Sequence, residues 1–551
     1  MSLVNSFKNF FISKKDQDVF CAIAFNYHDS SVSFAINNNV ILVLEAERVF
    51  RQKKKVCTRE EMDFLIGYGL KQINKRIEDV KYWSMTTFNN QYLNEKDIPG
   101  INGNKIKDPY WINVDFLGKE RNVLITNHHL SHAGIYFSTN FKSSIIISCD
   151  GGGDIDPSIN NNECVAVFRG FDDNIEKQNI PTKEFITGKT YGICSTFIYG
   201  SGLHTKNPSE GKLMALAGYG KVRDEYYSFL VENYKKIEEA DYSVVLNILK
   251  ESKLGYLEGQ AKELTQDSKD FSASVHQFFI DKRLENIDLI VNSFKEKPEA
   301  IILTGGASLN LDLNSKVFEK YPNFHNYVAP CCDDTGQSLG SLCLLMIKVN
   351  KIRPNIKLPY LGEGVESFEF SEDSVDKAVE ILLNDGILIV HNGKSEVGPR
   401  ALGNRSFIAR PDSLDVKIKL SEKIKQREPY RPVAPIVVEE RIKEYFIGPE
   451  YSPFMLYRHE VIESKKKNIV GAVHIDGSAR AQTVSALDNK FIHELINKFG
   501  EKTGIYVLLN TSLNLQGEPL SNKIEESIDI FNKIDGPRCL IYNGEILKIS
   551  N

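Results

Sequence analysis

Short apolar runs separated by polar turns open the chain. Residues 18 to 46 read as VFCAIAFN, a Tyr27-His28-Asp29-Ser30 turn, SVSFAI, an Asn37-Asn38-Asn39 turn and VILVLEA. Apolar runs bounded by such turn residues predict three strands in a meander. The pattern recurs near Ser143, where SIIISCD runs to Asp150, Gly151-Gly152-Gly153-Asp154 follows, and ECVAVFRG returns after an Asn-rich loop. Two copies predict a duplicated α/β core. Between them, Thr58 to Glu61 forms a capping box ahead of Met62, Leu65, Leu70, Ile73 and Ile77 at mostly helical spacing. That helix serves packing. A second helical pattern over 271 to 297 leads to the strand AIILT and the turn Thr304-Gly305-Gly306-Ala307, a junction like those that bind adenosine.

The segment 352 to 373, with Pro354, Pro359, Gly362 and Gly364 and no clear periodicity, predicts a linker. The expected division is therefore 17–352 and 365–551. After the linker, SVDKAVEILLND stopped by Gly386, the strand GILIVHN and turns rich in glycine, proline and arginine predict a smaller mixed α/β domain. Length agrees with this, since 551 residues exceed what one core usually organises. Hydrophobic residues at 42% and charged residues at 26% describe a folded protein.

The balance of 68 basic and 73 acidic residues excludes a mainly electrostatic nucleic-acid binder, so any anion site must be built locally. No stretch approaches the roughly 18 apolar residues of a membrane span, and the opening residues lack a signal-peptide core. The expectation is a cytoplasmic protein with no membrane partner. Nine scattered cysteines without a CxxC pair argue against disulfides or a cysteine zinc site, and Cys331 and Cys332 read as buried packing.

Three constellations carry chemistry. Asn127-His128-His129-Leu130-Ser131-His132-Ala133 follows the strand NVLIT where a helix would begin. There His128 and His132 share a face and His129 points away. Asp150 and Asp334 are candidate carboxylates for a shared ion, and two His with two Asp suit Fe(II), Zn or Mn better than Ca or Mg. The alternative is a capped helix with hydrogen-bonded histidines. Arginines gather in Gly398-Pro399-Arg400-Ala401-Leu402-Gly403-Asn404-Arg405-Ser406, in KQREPYRPVAP from Lys425 to Pro435, and in Asp476-Gly477-Ser478-Ala479-Arg480. Beside glycine and proline turns, their forks suit phosphate oxygens, or else tie loops together by ion pairs. Leu509-Asn510-Thr511-Ser512-Leu513-Asn514 offers clustered amides and hydroxyls, which either make a turn or orient a carbamoyl-sized group.

HHLSHA, CDGGGD, EGKLMALAGYG, LTGGASLN, GPRALGNRS, REPYRPVAP, HIDGSARAQTV and NTSLNLQGEP stand in this order over about residues 18 to 530. In these blocks the chain resembles the NodU/CmcH-type O-carbamoyltransferase family, which includes tobramycin carbamoyltransferase. The resemblance implies an actin-like, duplicated N-terminal domain similar to the threonylcarbamoyl-transfer subunit of tRNA modification, and a YrdC-like C-terminal domain. It implies that the latter turns ATP and carbamoyl phosphate into carbamoyladenylate and pyrophosphate. The N-terminal domain, with Fe(II) or another divalent transition metal, then passes the carbamoyl group to a hydroxyl of a small-molecule or sugar acceptor. Mg is expected to accompany ATP, and a homodimer is compatible with this.

By the resemblance, His128, His132, Asp150 and Asp334 match metal positions, Asp334 by its spacing to Gly336 with Asp333 as second choice. Arg400, Arg431, Arg480 and Asn510 match carbamoyl phosphate positions. Lys53, Glu210, Gly306 and Asn310 match adenylate positions, and His28 is the expected general base as a neutral imidazole. Thr335 and Val397 depart from residues common in the family, without removing an assigned ligand. The stretches 154 to 162 and 222 to 270 carry no nameable motif and are where acceptor selection could sit. Two rivals stand beside this reading. One is an actin-like ATP-binding kinase or regulatory module, which leaves the C-terminal arginines unexplained. The other is a maturation factor that carbamoylates a protein cysteine, for which the usual CxxC zinc modules are missing.

Overall fold

The computed structural model describes residues 17–87, 90–93, 109–156, 161–200 and 209–550. Both expected meanders form. The first sheet runs edge to edge as Asn39–Glu45, Ser31–Ile36, Val19–Ala24, Val80–Thr86, Lys119–Thr126 and Tyr110–Phe116. The second runs Asn174–Lys177, Val165–Phe171, Ser143–Cys149, Ala300–Thr304 and His325–Val328. In each, an antiparallel meander is followed by two parallel strands added beside its first strand. The core is thus a duplicated, actin-like α/β fold, the first copy carrying one extra edge strand.

Every residue of Val19–Ala24 is buried, because both faces of its sheet are covered. Val19, Cys21 and Ile23 pack with Met62, Leu65 and Ile66 of the helix Arg59–Gln72, whose capping box at Thr58 and Glu61 forms as expected. Phe20 and Ala22 face the opposite layer with Leu339 and Leu342 of the helix Gln337–Asn350. That layer also takes Ile146, Phe168 and Ile302 from the second sheet, so one core joins the two copies. The helices His128–Ala133 and Gln337–Asn350 cross with almost no space between them: a Cβ on Gly134 would run into the Gly340 carbonyl, and one on Gly340 into the Ser131 carbonyl. This contact brings residues 128 to 132 against residues 334 to 337.

The helix expected over 271 to 297 instead spans Gln266–Ser293, because the Thr265 side chain caps it by accepting from the Ser268 N–H. Two helices, Asp224–Glu239 and Tyr242–Glu251, occupy much of the motif-free stretch 222 to 270. A third sheet runs Gln482–Val484, Ala434–Val438, Val507–Ser512, Arg405–Ala409, Ile387–His391, Arg538–Tyr542 and Glu545–Ser550. It has its own core with the helices Glu372–Leu383, Lys490–Thr503 and Ile524–Lys533. Asn510 lies inside a strand of this sheet, not in the loop expected there.

The segment 352 to 373 is not a free linker. Its backbone bonds to the first sheet at Val40 and Val43 and to the third-sheet side at Ser395 and Val397. Its irregular sequence reflects a path between two partners that demand different backbone directions. Among the described residues, no helix is long and apolar enough to cross a membrane. All nine cysteines are free, and Cys331 and Cys332 are buried.

Candidate functional site

The Asn127 side chain accepts from the Leu130 N–H at 2.7 Å and starts the helix His128–Ala133. Asp154 fixes the same end, its carboxylate accepting from the His128 N–H and the Thr87 hydroxyl, each at 2.7 Å. His129 turns away, donating from Nε2 to the Glu163 carbonyl at 2.7 Å and accepting at Nδ1 from the Ser148 hydroxyl at 2.7 Å. His128 and His132 face the other way, towards two carboxylates.

Asp150 ends the strand Ser143–Cys149, and its oxygens accept from the Gly151 and Gly306 N–H groups, each at 2.7 Å. Asp334 lies in the turn ahead of the helix Gln337–Asn350. His132 Nε2 stands 3.5 Å from Asp150 and 3.2 Å from Asp334, and His128 Nε2 stands 3.8 Å from Asp334. One donor atom from each of the four residues lies within 4.8 Å of the others. Donors held about 2.1 Å from one ion stand about 3 to 4 Å apart, and the His–Asp separations of 3.2 to 3.8 Å suit a shared cation. Asp333 does not join it; its carboxylate caps the turn and bonds to Thr335.

The charges suit a cation. Burial alone would strip His132 of its proton, yet Asp150 and Asp334 together outweigh burial and push its pKa up to about 9. His128, buried beside that charge, is pushed down to about 3. Both carboxylates are held below their usual range despite burial, by the facing imidazoles. The Gln337 amide nitrogen sits among the same atoms, 2.8 Å from His128 Nδ1, 3.1 Å from His132 Nε2 and 2.9 Å from Asp334. An amide N–H and a proton therefore occupy this nest of acceptors, the roles a cation would take over.

His28 is placed beside this cluster by a turn in which Asn26 and Asp29 adopt left-handed φ of 56° and 59°. Its Nδ1 lies 2.8 Å from Asp29 and 3.5 Å from Asp334. Burial opposes its charge, but Asp334 and then Asp29 raise it to about 9. Beside Asp334 and Asp29 the charged form of His28 is favoured, which differs from the neutral imidazole expected near pH 7.

The arginine blocks converge as a second cluster. Arg480 is pulled far below its usual range by burial and then by Arg400, Arg427 and Arg431. Arg427 is pulled to about 9 by burial and by Arg431 and Arg400. Guanidiniums keep their protons at neutral pH, so these shifts reflect burial first and mutual repulsion second, both of which a bound anion would offset. Arg400 Nε, Arg480 Nε and Asn510 Oδ1 are buried without a hydrogen-bond partner. Lys425 is buried nearby, donating to the Ser512 and Asn514 carbonyls at 2.6 and 2.5 Å. Within KQREPYRPVAP, nothing in the loop's sequence distinguishes Arg427 and Lys425 as the cations that face inward. Arg405 is a structural member: its guanidinium donates to the Asn392, Asn404, Glu363 and Gly393 carbonyls.

The residues expected around the adenylate are spread over several elements. Lys53 feels the charges of Glu47, Arg427, Arg431 and Glu518, which puts it beside the arginine cluster. Gly306 lies against Asp150, following Gly305 at φ 84°, where a Cβ would strike the Cys149 carbonyl. The Asn310 side chain caps the helix Leu311–Lys320 by accepting from Leu313 N–H at 3.1 Å. Glu210 begins the helix Glu210–Ala217 with its carboxylate towards Gly192, and two residues on Lys212 pairs with Glu428 at 2.7 Å.

The two clusters adjoin. Arg400 feels the charge of Asp333, the residue before Asp334, and the Gly398 N–H donates to Glu45 at 2.7 Å. Arg48 carries the same junction, pairing with Glu45 at 2.9 Å and donating to the Gly398 carbonyl at 2.6 Å.

Known proteins are similar to this chain. A nodulation protein, NolNO, of Sinorhizobium fredii is 30% identical over 92% of this chain and 77% of its own length. The 3'-hydroxymethylcephem-O-carbamoyltransferase of Amycolatopsis lactamdurans is 30% identical over 58% of this chain and 61% of its own. Among solved structures, component A of the (R)-2-hydroxyglutaryl-CoA dehydratase of Acidaminococcus fermentans is similar over 60% of this chain and 98% of its own, at 13% identity and TM-score 0.34. The family model described as carbamoyltransferase N-terminus matches residues 19–343, which hold all four residues of the His/Asp cluster, and the one described as carbamoyltransferase C-terminus matches 379–547, which hold the arginines. With both halves matched in order, the chain belongs to the carbamoyltransferase family.

Proposed function

We propose that this carbamoyltransferase is an O-carbamoyltransferase working through two adjacent sites. At the arginine cluster, carbamoyl phosphate releases its phosphate to water, the resulting carbamate oxygen attacks the α-phosphorus of ATP, and pyrophosphate leaves. At the His/Asp cluster, a hydroxyl of a small acceptor attacks the carbamoyl carbon, AMP leaves, and the hydroxyl proton passes to a nearby base. The observation that carries this reading is the juxtaposition itself: a buried cation pocket with unpartnered guanidinium and amide atoms abuts a four-donor His/Asp nest.

In the first site Arg400, Arg427, Arg431, Arg480 and Lys53 bind phosphate oxygens, and their mutual repulsion favours a polyanion over the empty pocket. In the second, His128, His132, Asp150 and Asp334 would hold a transition dication, which supplies Lewis-acid stabilisation of the leaving AMP and a template for the carbamoyl group. Gly306 presents its N–H at this nest, and His28, 3.5 Å from Asp334, would take the hydroxyl proton as the neutral imidazole, the form favoured once a cation at the cluster offsets the charge of Asp334. The division into an actin-like unit over 17–352 and an α/β unit over 365–551 is part of the proposal, supported by the separate third-sheet core and the family matches. The hydroxyl acceptor is supported by the cephem-modifying relative.

The test is incubation with ATP, carbamoyl phosphate and Fe(II), followed by mass detection of carbamoyladenylate and pyrophosphate. Release of ADP instead of pyrophosphate would favour the kinase-like rival and remove this reading.

A further inference from the structure

We propose that Gln482 is a positioning residue that makes the arginine-lined pocket select a carbamoyl over an acetyl phosphate, by fixing which end of the Asn510 amide is left to read the ligand. The inference rests on the reading of that pocket as the carbamoyl phosphate site. Asn510 lies on the strand Val507–Ser512, between Ala401, next to Arg400, and Gln482, two residues after Arg480. Its amide therefore sits between the chain neighbours of two pocket arginines.

The direction of both amides follows from backbone carbonyls, which can only accept. The Leu402 carbonyl is 2.8 Å from one end of the Gln482 amide, so that end is the NH2 group. The other end of Gln482 is then its oxygen, and it accepts from the Asn510 amide at 2.8 Å. The same Asn510 NH2 donates to the Ala401 carbonyl at 3.1 Å. Flipping Asn510 would lose two hydrogen bonds and set oxygen against oxygen twice. The anchoring carbonyls are themselves rigid: the Glu396 carboxylate accepts from the backbone N–H groups of Leu402 and Asn404 at 2.7 Å and of Arg405 at 3.1 Å, and Tyr360 donates to the Leu402 carbonyl at 2.9 Å.

What remains is Asn510 Oδ1, buried and without a partner. A lone buried acceptor reads a donor. The NH2 of a carbamoyl group satisfies it, whereas the methyl of an acetyl group of similar size leaves it unpaired, a loss that a site built for a hydrogen bond registers strongly. Arginines alone would not tell the two ligands apart, because both carry the same phosphate.

Binding to the full-length protein, without ATP, is measured by calorimetric titration with carbamoyl phosphate, acetyl phosphate and inorganic phosphate. The wild type is expected to prefer carbamoyl over acetyl phosphate by about tenfold or more. In Gln482→Met the preference falls to about threefold or less while inorganic phosphate binds as before, because only the Ala401 carbonyl then opposes a turn of the Asn510 NH2 inward. Should that variant fail to fold, Gln482→Asn, one methylene too short to reach both partners, carries the same expectation. An unchanged preference in a folded variant, or equal weakening of all three ligands, overturns the role of Gln482. A wild type that binds none of the three overturns the pocket reading, and this inference with it.

Discussion

Cation binding at the His/Asp cluster must expel a proton, and the structure sets the size of the effect. In the metal-free protein Asp150 and Asp334 hold a proton on His132 up to about pH 9. A dication needs the neutral imidazole, so at pH 7 binding must remove a proton about two pH units below its pKa. That costs about 3 kcal/mol, or a factor on the order of 100 in apparent affinity. His128, pushed down to about 3, is already neutral and adds nothing. His28, protonated up to about 9 beside Asp334, is repelled by the incoming charge and steepens the dependence. Affinity for Co(II), measured by competition with a chromophoric chelator, should therefore rise at least about tenfold per pH unit between about pH 6.5 and 8.5 and level off above about 9. Calorimetry in buffers of different ionisation enthalpy should count between about one and two protons released per ion. An affinity independent of pH in this window, or one falling as pH rises, would refute the argument. The same sign governs folding: a pKa raised from 6.5 to about 9 stabilises the metal-free protein at acidic pH, and that contribution is lost as pH climbs through 9.

The two-site reading separates by mutation. His132→Ala should abolish acceptor carbamoylation while pyrophosphate release from ATP and carbamoyl phosphate persists; loss of both in a folded variant would show that the sites are not distinct. Arg480→Met should stop pyrophosphate release yet stabilise the ligand-free protein by about 1 kcal/mol, because it removes one charge from a self-repelling cluster. Thermal unfolding checks this, and a lowered midpoint would mean that Arg480 has a compensating partner. Gly340→Ala should cost about 2 to 3 kcal/mol by pushing a methyl into the Ser131 carbonyl, and should weaken Co(II) binding by parting the histidines from Asp334. Retained affinity in that variant would show that the helix crossing does not set the ligand geometry.

Much was legible one element at a time. The two meanders, the capping box at Thr58, the HxxxH helix behind Asn127 and the strand AIILT depend on residues within a few positions of one another, where turn chemistry and periodicity act. His129 turning from the site was readable for the same reason, since a helix fixes which neighbours share a face. The choice of Asp334 over Asp333 came through spacing in the resemblance, and the structure gives its cause: Asp333 is occupied in capping the turn.

The sequence by itself therefore determined the local elements and the stock of chemical groups, because backbone preferences and side-chain types act at short range. Only the tertiary structure decided what those groups meet. Close crossing at Gly134 and Gly340 joins histidines and an aspartate some 200 residues apart in the chain, and a carboxylate pair beside His28 keeps it charged. Lys53 falls beside the arginines, and backbone carbonyls at Ala401 and Leu402 orient two amides from other strands. Charge, burial and hydrogen-bond direction are sums over neighbours in space, and the chain acquires those neighbours only on folding.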